Sequence, residues 1–262
     1  MPLSEDTMKK IADALYNAEI TRIPIDPITQ MFPNITIDDA YKIQLINVER
    51  KVKLGARIVG KKIGLTSKAM QRLFGVNEPD YGHLFDSMYV DNGETIYLSQ
   101  LIQPKVEAEL AFILKEDLRG PGVTVVDVLR ATDIVVPVFE IIDSRIKNWQ
   151  IKIQDTIADN ASAAKFVVGD GAKDPYSIDL KHLGLVFEVN GEIVSTATAA
   201  SVLGNPARAV AWLANKLAYY GTYLKANEII LSGSFIAAVD AKPKSIYVAS
   251  FGGLGSVEVR FE

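Results

Sequence analysis

One stretch constrains this chain more than any other: Gln103 to Leu114, Q-P-K-V-E-A-E-L-A-F-I-L. Its residues alternate with period two, the pattern of a β-strand. One face carries Val106, Ala108, Leu110, Phe112 and Leu114 and has to lie on a core. The other carries Lys105, Glu107, Glu109, Ala111 and Ile113, so two carboxylates point the same way with Cα atoms about 6.5–7 Å apart. On an exposed strand such a pair is simply solvated. On a half-buried one, two like charges need a compensating cation or a shared proton. Hard oxygen ligands of this kind suit Mg2+ or Mn2+.

The rest of the composition narrows the chemistry. The chain has no cysteine, which removes disulfides, thiolate nucleophiles and Cys-ligated zinc together. Two histidines, His83 and His182, leave no His-rich metal site. Acid, base and metal chemistry therefore falls mainly to carboxylates, lysines and hydroxyls. A net charge of −4 gives no reason to expect a nucleic acid or an anionic membrane as partner. No apolar run approaches ~18 residues, and M-P-L-S-E-D-T lacks the pattern of a secretory signal, so the cytoplasm is the expected compartment. Neither G-x-G-x-x-G nor G-x-x-x-x-G-K-[ST] occurs, which leaves no nucleotide-binding fingerprint.

In chain order, Ser4 followed by Glu5 and Asp6 caps a first helix, and T-I-D-D (Thr36 to Asp39) caps a second that runs to about Leu54, with Gly55 past its end. The Pro-punctuated segment 23–33 between them is a loop. Residues 1–56 form an N-terminal helical region, and 57–262 the main domain. A strand spans Arg57 to Thr66, where adjacent Lys61 and Lys62 point to opposite faces, one of them inward. A short helix follows from Ser67 to Phe74, and the segment G-V-N-E-P-D-Y-G-H-L-F-D after it is dense in turn residues and read as a loop. Asp80 in that loop is by itself an ordinary turn former. Thr124 and Asp127 cap another helix. D-I-V-V-P-V-F-E-I-I (Asp133 to Ile142) is a buried strand by length and β-branching, yet it holds Glu140 in its middle. Arg145 is a possible partner for Glu140 or Asp143. Three acidic residues on two apolar strands make a shared divalent ion the more economical account. Strand, Asn190-Gly191 turn and strand mark a hairpin; a helix from Asn205-Pro206 to Tyr220 and three strands near residues 228–232, 245–249 and 256–261 close the chain.

Six motifs in one order carry a resemblance: G-K-K-I-G-L-T-S (Gly60 to Ser67), E-P-D-Y-G (Glu78 to Gly82), P-K-V-E-A-E-L-A-F (Pro104 to Phe112), F-E-I-I-D-S-R (Phe139 to Arg145), D-N-A-S (Asp159 to Ser162) and G-L-G-S-V-E-V-R-F (Gly253 to Phe261). Together they resemble the 2-keto-4-pentenoate hydratase and 4-oxalocrotonate decarboxylase family of the fumarylacetoacetate hydrolase superfamily, over nearly the whole chain. The resemblance implies an α+β fold, a mixed β-roll with flanking helices, and a homo-oligomer, alone or in complex with a paralogous or pathway enzyme. It implies Mg2+ or Mn2+ held by Glu107, Glu109 and Glu140, with Lys62 and Asp80 as proton-transfer groups. Leu65, Ser162 and Ser234 are the candidates for holding a 2-oxo or 2-hydroxy dienoate substrate. S-R-I-K-N-W-Q-I-K-I-Q-D-T-I-A-D-N-A-S (Ser144 to Ser162) is closer to the hydratase branch, whose reaction adds water to 2-hydroxypenta-2,4-dienoate in the meta-cleavage degradation of aromatic compounds. The alternatives are decarboxylation of 4-oxalocrotonate and, from another class, a non-catalytic partner subunit. His83 stands where the resemblance leads one to expect no histidine.

Overall fold

The computed structural model describes residues 2–262, without the side chains of residues 73 and 74. Three helices open the chain: α1 (Glu5–Thr21), α2 (Ile28–Met31) and α3 (Ile37–Lys53). Helix starts leave N–H groups without partners. Ser4 accepts one such bond from Thr7 at α1, and Thr36 and Asp39 exchange the two bonds of a capping box at α3. The turn of α2 lies inside the segment its prolines mark as loop, because Pro27 stands at the N-cap, outside the helix, and its carbonyl accepts from the N–H groups of Gln30 and Met31.

The main body follows: β1 (Ile58–Gly64), α4 (Lys68–Phe74), β2 (Asp80–Phe85), β3 (Tyr89–Val90), β4 (Thr95–Ile96), β5 (Lys105–Leu114), α5 (Val125–Ala131), β6 (Thr132–Ile142), α6 (Ile153–Ala158), β7 (Ala163–Val168), β8 (Gly184–Val189), β9 (Glu192–Thr198), α7 (Pro206–Tyr219), β10 (Ile229–Leu231), β11 (Val239–Asp240), β12 (Ser245–Phe251) and β13 (Gly255–Phe261). They build two curled, mixed sheets. The first has the order β2-β1-β10-β5-β6-β7-β3 with β11 beside β5, and the second β4-β13-β12-β8-β9. This is the α+β arrangement expected from the sequence.

Between the sheets, Phe139 meets Phe187 edge-on at 5.9 Å between ring centroids, and Phe187, Tyr247 and Phe261 continue the aromatic seam. Val106, Ala108, Leu110, Phe112 and Leu114 of β5 belong to this core. Its other face is covered as well: Ala111 packs with Val136, Val138, Phe166 and Leu231 in a second, smaller cluster. That closes the solvated reading of the β5 glutamates. Met8, Ile11, Leu15, Ile28 and Ile43 of the N-terminal helices share the larger core with Ile63 and Phe139. Each fully buried aliphatic side chain contributes about 1.5–3 kcal/mol, and the shared burial ties the N-terminal helices to the sheets. Among the described residues no helix is long and apolar enough to cross a membrane.

Residues 80–85 depart from the sequence reading. They form a fully buried strand, not a loop, paired antiparallel with β1 from Gly64 opposite Asp80 to Gly60 opposite Leu84. Pro79, Asp80 and Gly82 are turn formers locally, but cross-strand pairing wins. Gly82 serves close approach: a Cβ there would lie 2.3 Å from the Asn160 carbonyl oxygen.

Candidate active site

Strand register assembles the acidic group. Glu107 stands opposite Glu140 across the β5–β6 pair, and Glu109 lies two residues further on the same face. One carboxylate oxygen from each of the three lies within 4.8 Å of the others. Glu109 and Glu140 are buried and Glu107 half-buried. Glu109 Oε2 accepts a 2.7 Å bond from the Gly233 N–H; its Oε1 and both Glu140 oxygens accept no hydrogen bond. Burial raises the pKa of all three carboxyls. For Glu140 burial outweighs Lys62, which opposes it, and with Glu107 added the value reaches about 7. Buried carboxylate oxygens without donors are costly. Hard oxygen donors converging this closely fit Mg2+ or Mn2+.

Beside them stands one cation. β1 places Lys61 and Lys62 on opposite faces as its alternation predicts, but both are buried, so a solvated edge lysine describes neither. Lys61 Nζ pairs with Glu228 at 2.8 and 3.0 Å on the far face. Lys62 Nζ lies 3.1 Å from Glu140 Oε1 and donates a 3.0 Å bond to the Ala161 carbonyl. Across a flat sheet β1 and β6 would stand about 14 Å apart; the curl of the sheet and the two long side chains close that span. Burial works against the charge on Lys62, yet Glu140, Glu107, Asp80 and Glu109 outweigh it and hold its pKa above the ordinary lysine range.

Asp80 opens β2 opposite Gly64, two pairs from Gly82 opposite Lys62, so its side chain and that of Lys62 share one face. It is buried, and burial raises its pKa against the opposing pull of Lys62. Its Oδ1 accepts no hydrogen bond and lies where a Cβ on Gly64 would come within 2.2 Å of it. Lys62 and Asp80 are thus one cation and one carboxyl of raised pKa beside the acidic group.

The remaining candidates divide. Ser162 is buried with an unpartnered hydroxyl, at the end of a turn in which Asn160, Ala161 and Ser162 all have positive φ. Ser234 spends its hydroxyl on the Ile236 carbonyl at 2.8 Å. Ser232, two residues earlier, is fully buried and unpartnered instead. The sequence S-G-S (Ser232 to Ser234) offers both hydroxyls to an anionic ligand, and the place of Ser232 directly after apolar β10 is what marks it as the buried one. Leu65 follows Gly64 in a left-handed conformation and is half-buried. His83 belongs to the Lys61 face: it pairs in register with Lys61 and its ring bonds Gln44. Arg145 turns to Asp159 rather than to the side chain of Glu140 or Asp143, with Nε 2.5 Å from Asp159 Oδ1.

The sequence pattern of the fumarylacetoacetate (FAA) hydrolase C-terminal family matches residues 62–262. A 2-hydroxypent-2,4-dienoate hydratase of Pseudomonas putida is 49% identical over 220 residues, covering 84% of this chain and 99% of the relative. A 2-keto-4-pentenoate hydratase of Paraburkholderia xenovorans is 46% identical over 254 residues, covering 97% and 94%. The solved structure of a 4-oxalocrotonate decarboxylase from Pseudomonas putida, complexed with magnesium and adipate, superposes with a TM-score of 0.97 at 40% identity over 99% of each chain.

Proposed function

This chain belongs to the fumarylacetoacetate hydrolase family, and we propose that it is a divalent-metal-dependent hydratase that adds water to 2-hydroxypenta-2,4-dienoate to give 4-hydroxy-2-oxopentanoate. The observation that carries the reading is the convergence of three carboxylates, two of them fully buried with unpartnered oxygens, beside buried Lys62. The hydratase relatives at 49% and 46% identity support the choice of reaction.

Glu107, Glu109 and Glu140 would hold Mg2+ or Mn2+, which supplies Lewis-acid stabilisation of negative charge on a 2-oxo acid. Lys62 and Asp80 move the protons. Asp80, its pKa raised by burial, takes the proton of the 2-hydroxyl. Lys62, held charged by its acidic neighbours, delivers one to carbon 5, leaving an enone that is electrophilic at carbon 4. Water then adds its oxygen to carbon 4 and gives one proton back to Lys62, while Asp80 returns its proton to carbon 3. Both residues end as they began. The free hydroxyls of Ser162 and Ser232 are suited to substrate oxygens; Leu65 is a further candidate contact, and Ser234 would have to release the Ile236 carbonyl to become one.

The decarboxylase reading is the alternative, favoured by the 0.97 TM-score to the 4-oxalocrotonate enzyme. Loss of carbon dioxide from such a dioate leaves a dienolate that the same site would stabilise. The protein is taken to act in the cytoplasm as a homo-oligomer; Ile193 and Val194, exposed on edge strand β9, are surface that assembly would cover. Purified protein assayed on 2-hydroxypentadienoate and on 4-oxalocrotonate, with and without EDTA, tests the function. Chelator-sensitive water uptake on the first substrate is expected; carbon dioxide release from the second without hydration of the first would replace the hydratase reading.

A further inference from the structure

We propose that Arg145 is a positioning residue for this reaction: with Asp159 it clamps the turn Asn160–Ala161–Ser162 in a shape those residues disfavour, and so aims the Ala161 carbonyl at Lys62. Three consecutive non-glycine residues of that turn have φ of 53°, 49° and 58°. Each costs roughly 1 kcal/mol or more in that region, so something outside the turn must hold it.

Arg145 spans its two ends. At the start, Nε bonds Asp159 Oδ1 and Nη2 bonds the Asp159 carbonyl, both at 2.5 Å, while the Arg145 backbone N–H bonds Asp159 Oδ2 at 3.0 Å. At the end, Nη1 donates to the Ala163 carbonyl at 3.2 Å and also to that of Asp143. Asn160 pins the middle to β2: its side chain accepts from the His83 N–H at 2.8 Å and donates to the His83 carbonyl at 2.9 Å. The Ala161 carbonyl then has one orientation, and Lys62 Nζ bonds it at 3.0 Å. Arg145 and Asp159 are both buried. A buried ion pair is a poor source of stability against an apolar replacement, whereas a planar fork with several donors fixes geometry that lysine cannot reproduce.

The kinetic part of the test rests on the hydratase reading; the exchange part does not. Full-length Mg2+-loaded Arg145→Lys and Asp159→Asn are compared with wild type by steady-state kinetics, Mg2+ calorimetry and amide hydrogen exchange of residues 159–163. A 10- to 100-fold fall in kcat is expected, with Mg2+ affinity within twofold and faster exchange in that segment. Adding Ala161→Gly to Arg145→Lys is expected to recover part of the lost kcat, because glycine adopts positive φ freely; a purely structural role would give no such recovery. Should Arg145→Lys fail to fold, Ala161→Val in the wild-type chain perturbs the turn alone and is expected to lower kcat in the same way. Unchanged kcat in folded variants, Mg2+ affinity falling in step with kcat, or unchanged exchange would overturn the proposal. If wild type leaves the dienoate unhydrated, the functional reading fails by itself and exchange still decides whether Arg145 holds the turn.

Discussion

Glu107 and Glu140 stand directly opposite each other in the β5–β6 register, two carboxylates on one face of neighbouring strands. Like charges so placed destabilise a sheet, Glu109 adds a third, and among the described residues their one ion-pair partner is Lys62, 3.1 Å from Glu140 Oε1. A divalent ion offsets that repulsion. Mg2+ or Mn2+ at 100 times its Kd is expected to add about 2.7 kcal/mol, a rise in Tm of roughly 5–10 °C for a chain of this size, and EDTA to remove both the rise and turnover. Thermal melts with and without Mg2+ check this. A Tm and a turnover both indifferent to chelation would contradict the site.

Lys62 is expected to matter for chemistry and not for holding the ion. General acid-base help is worth about 10²- to 10⁴-fold, so Lys62→Met is expected to cut kcat by that order. Mg2+ affinity is expected to stay or tighten, since the variant removes a cation 3.1 Å from Glu140. Calorimetry and single-turnover kinetics on one preparation read both. Near-normal kcat would take Lys62 out of the mechanism.

A smaller change probes Asp80. A Cβ at position 64 would lie 2.2 Å from Asp80 Oδ1, far inside contact distance, so Gly64→Ala has to displace the carboxyl. A misplacement of about 1 Å costs on the order of 10²-fold in rate. Gly64→Ala is expected to lose that much kcat while binding Mg2+ as wild type does, because Glu107, Glu109 and Glu140 are on other strands. A variant with wild-type kcat would show that the position of Asp80 is not critical.

The features legible in the sequence are those with local causes. Caps at Ser4, Thr36, Thr124 and Asn205 start helices where their side chains bond the first turn, and the alternation in β5 and the β-branched run of β6 announce strands wherever they pack. The acidic group was legible because its members sit on those two strands. β2 was not: Pro79, Asp80 and Gly82 signal a turn, and only pairing with β1 makes them a strand. The burial of Lys61 depends on Glu228, 167 residues away. Arg145 had two acidic residues close in sequence, yet its partner is Asp159, brought to it by the packing of α6 and the turn after it. Ser232 and Ser234 look alike in sequence; the left-handed Gly233 between them, φ +107°, sends one hydroxyl to a buried unpartnered place and the other to Ile236.

His83 is expected to make the fold sensitive to acid. It is buried on β2, on the face away from Lys62, with Nδ1 3.0 Å from Gln44 Oε1. The Gln44 amide nitrogen already donates to the carbonyls of Tyr81 and Ile157, so its oxygen accepts, and the hydrogen-bond network assigns the imidazole proton to Nδ1. Burial, reinforced by Lys61, pushes the His83 pKa down to about 3. The unfolded chain takes up a proton near pH 6.5, whereas the folded chain does not until about pH 3. Stability from the neutral imidazole is therefore complete above pH 6.5 and is lost as the pH falls from there toward 3. At pH 5 the loss is about 2 kcal/mol. His83→Gln keeps a donor for Gln44 and has nothing to titrate. Urea unfolding of both proteins in EDTA, at pH 7.5 and pH 5, is expected to show the variant losing about 2 kcal/mol less than wild type between the two. Equal losses would mean that His83 does not set the acid limit of the fold.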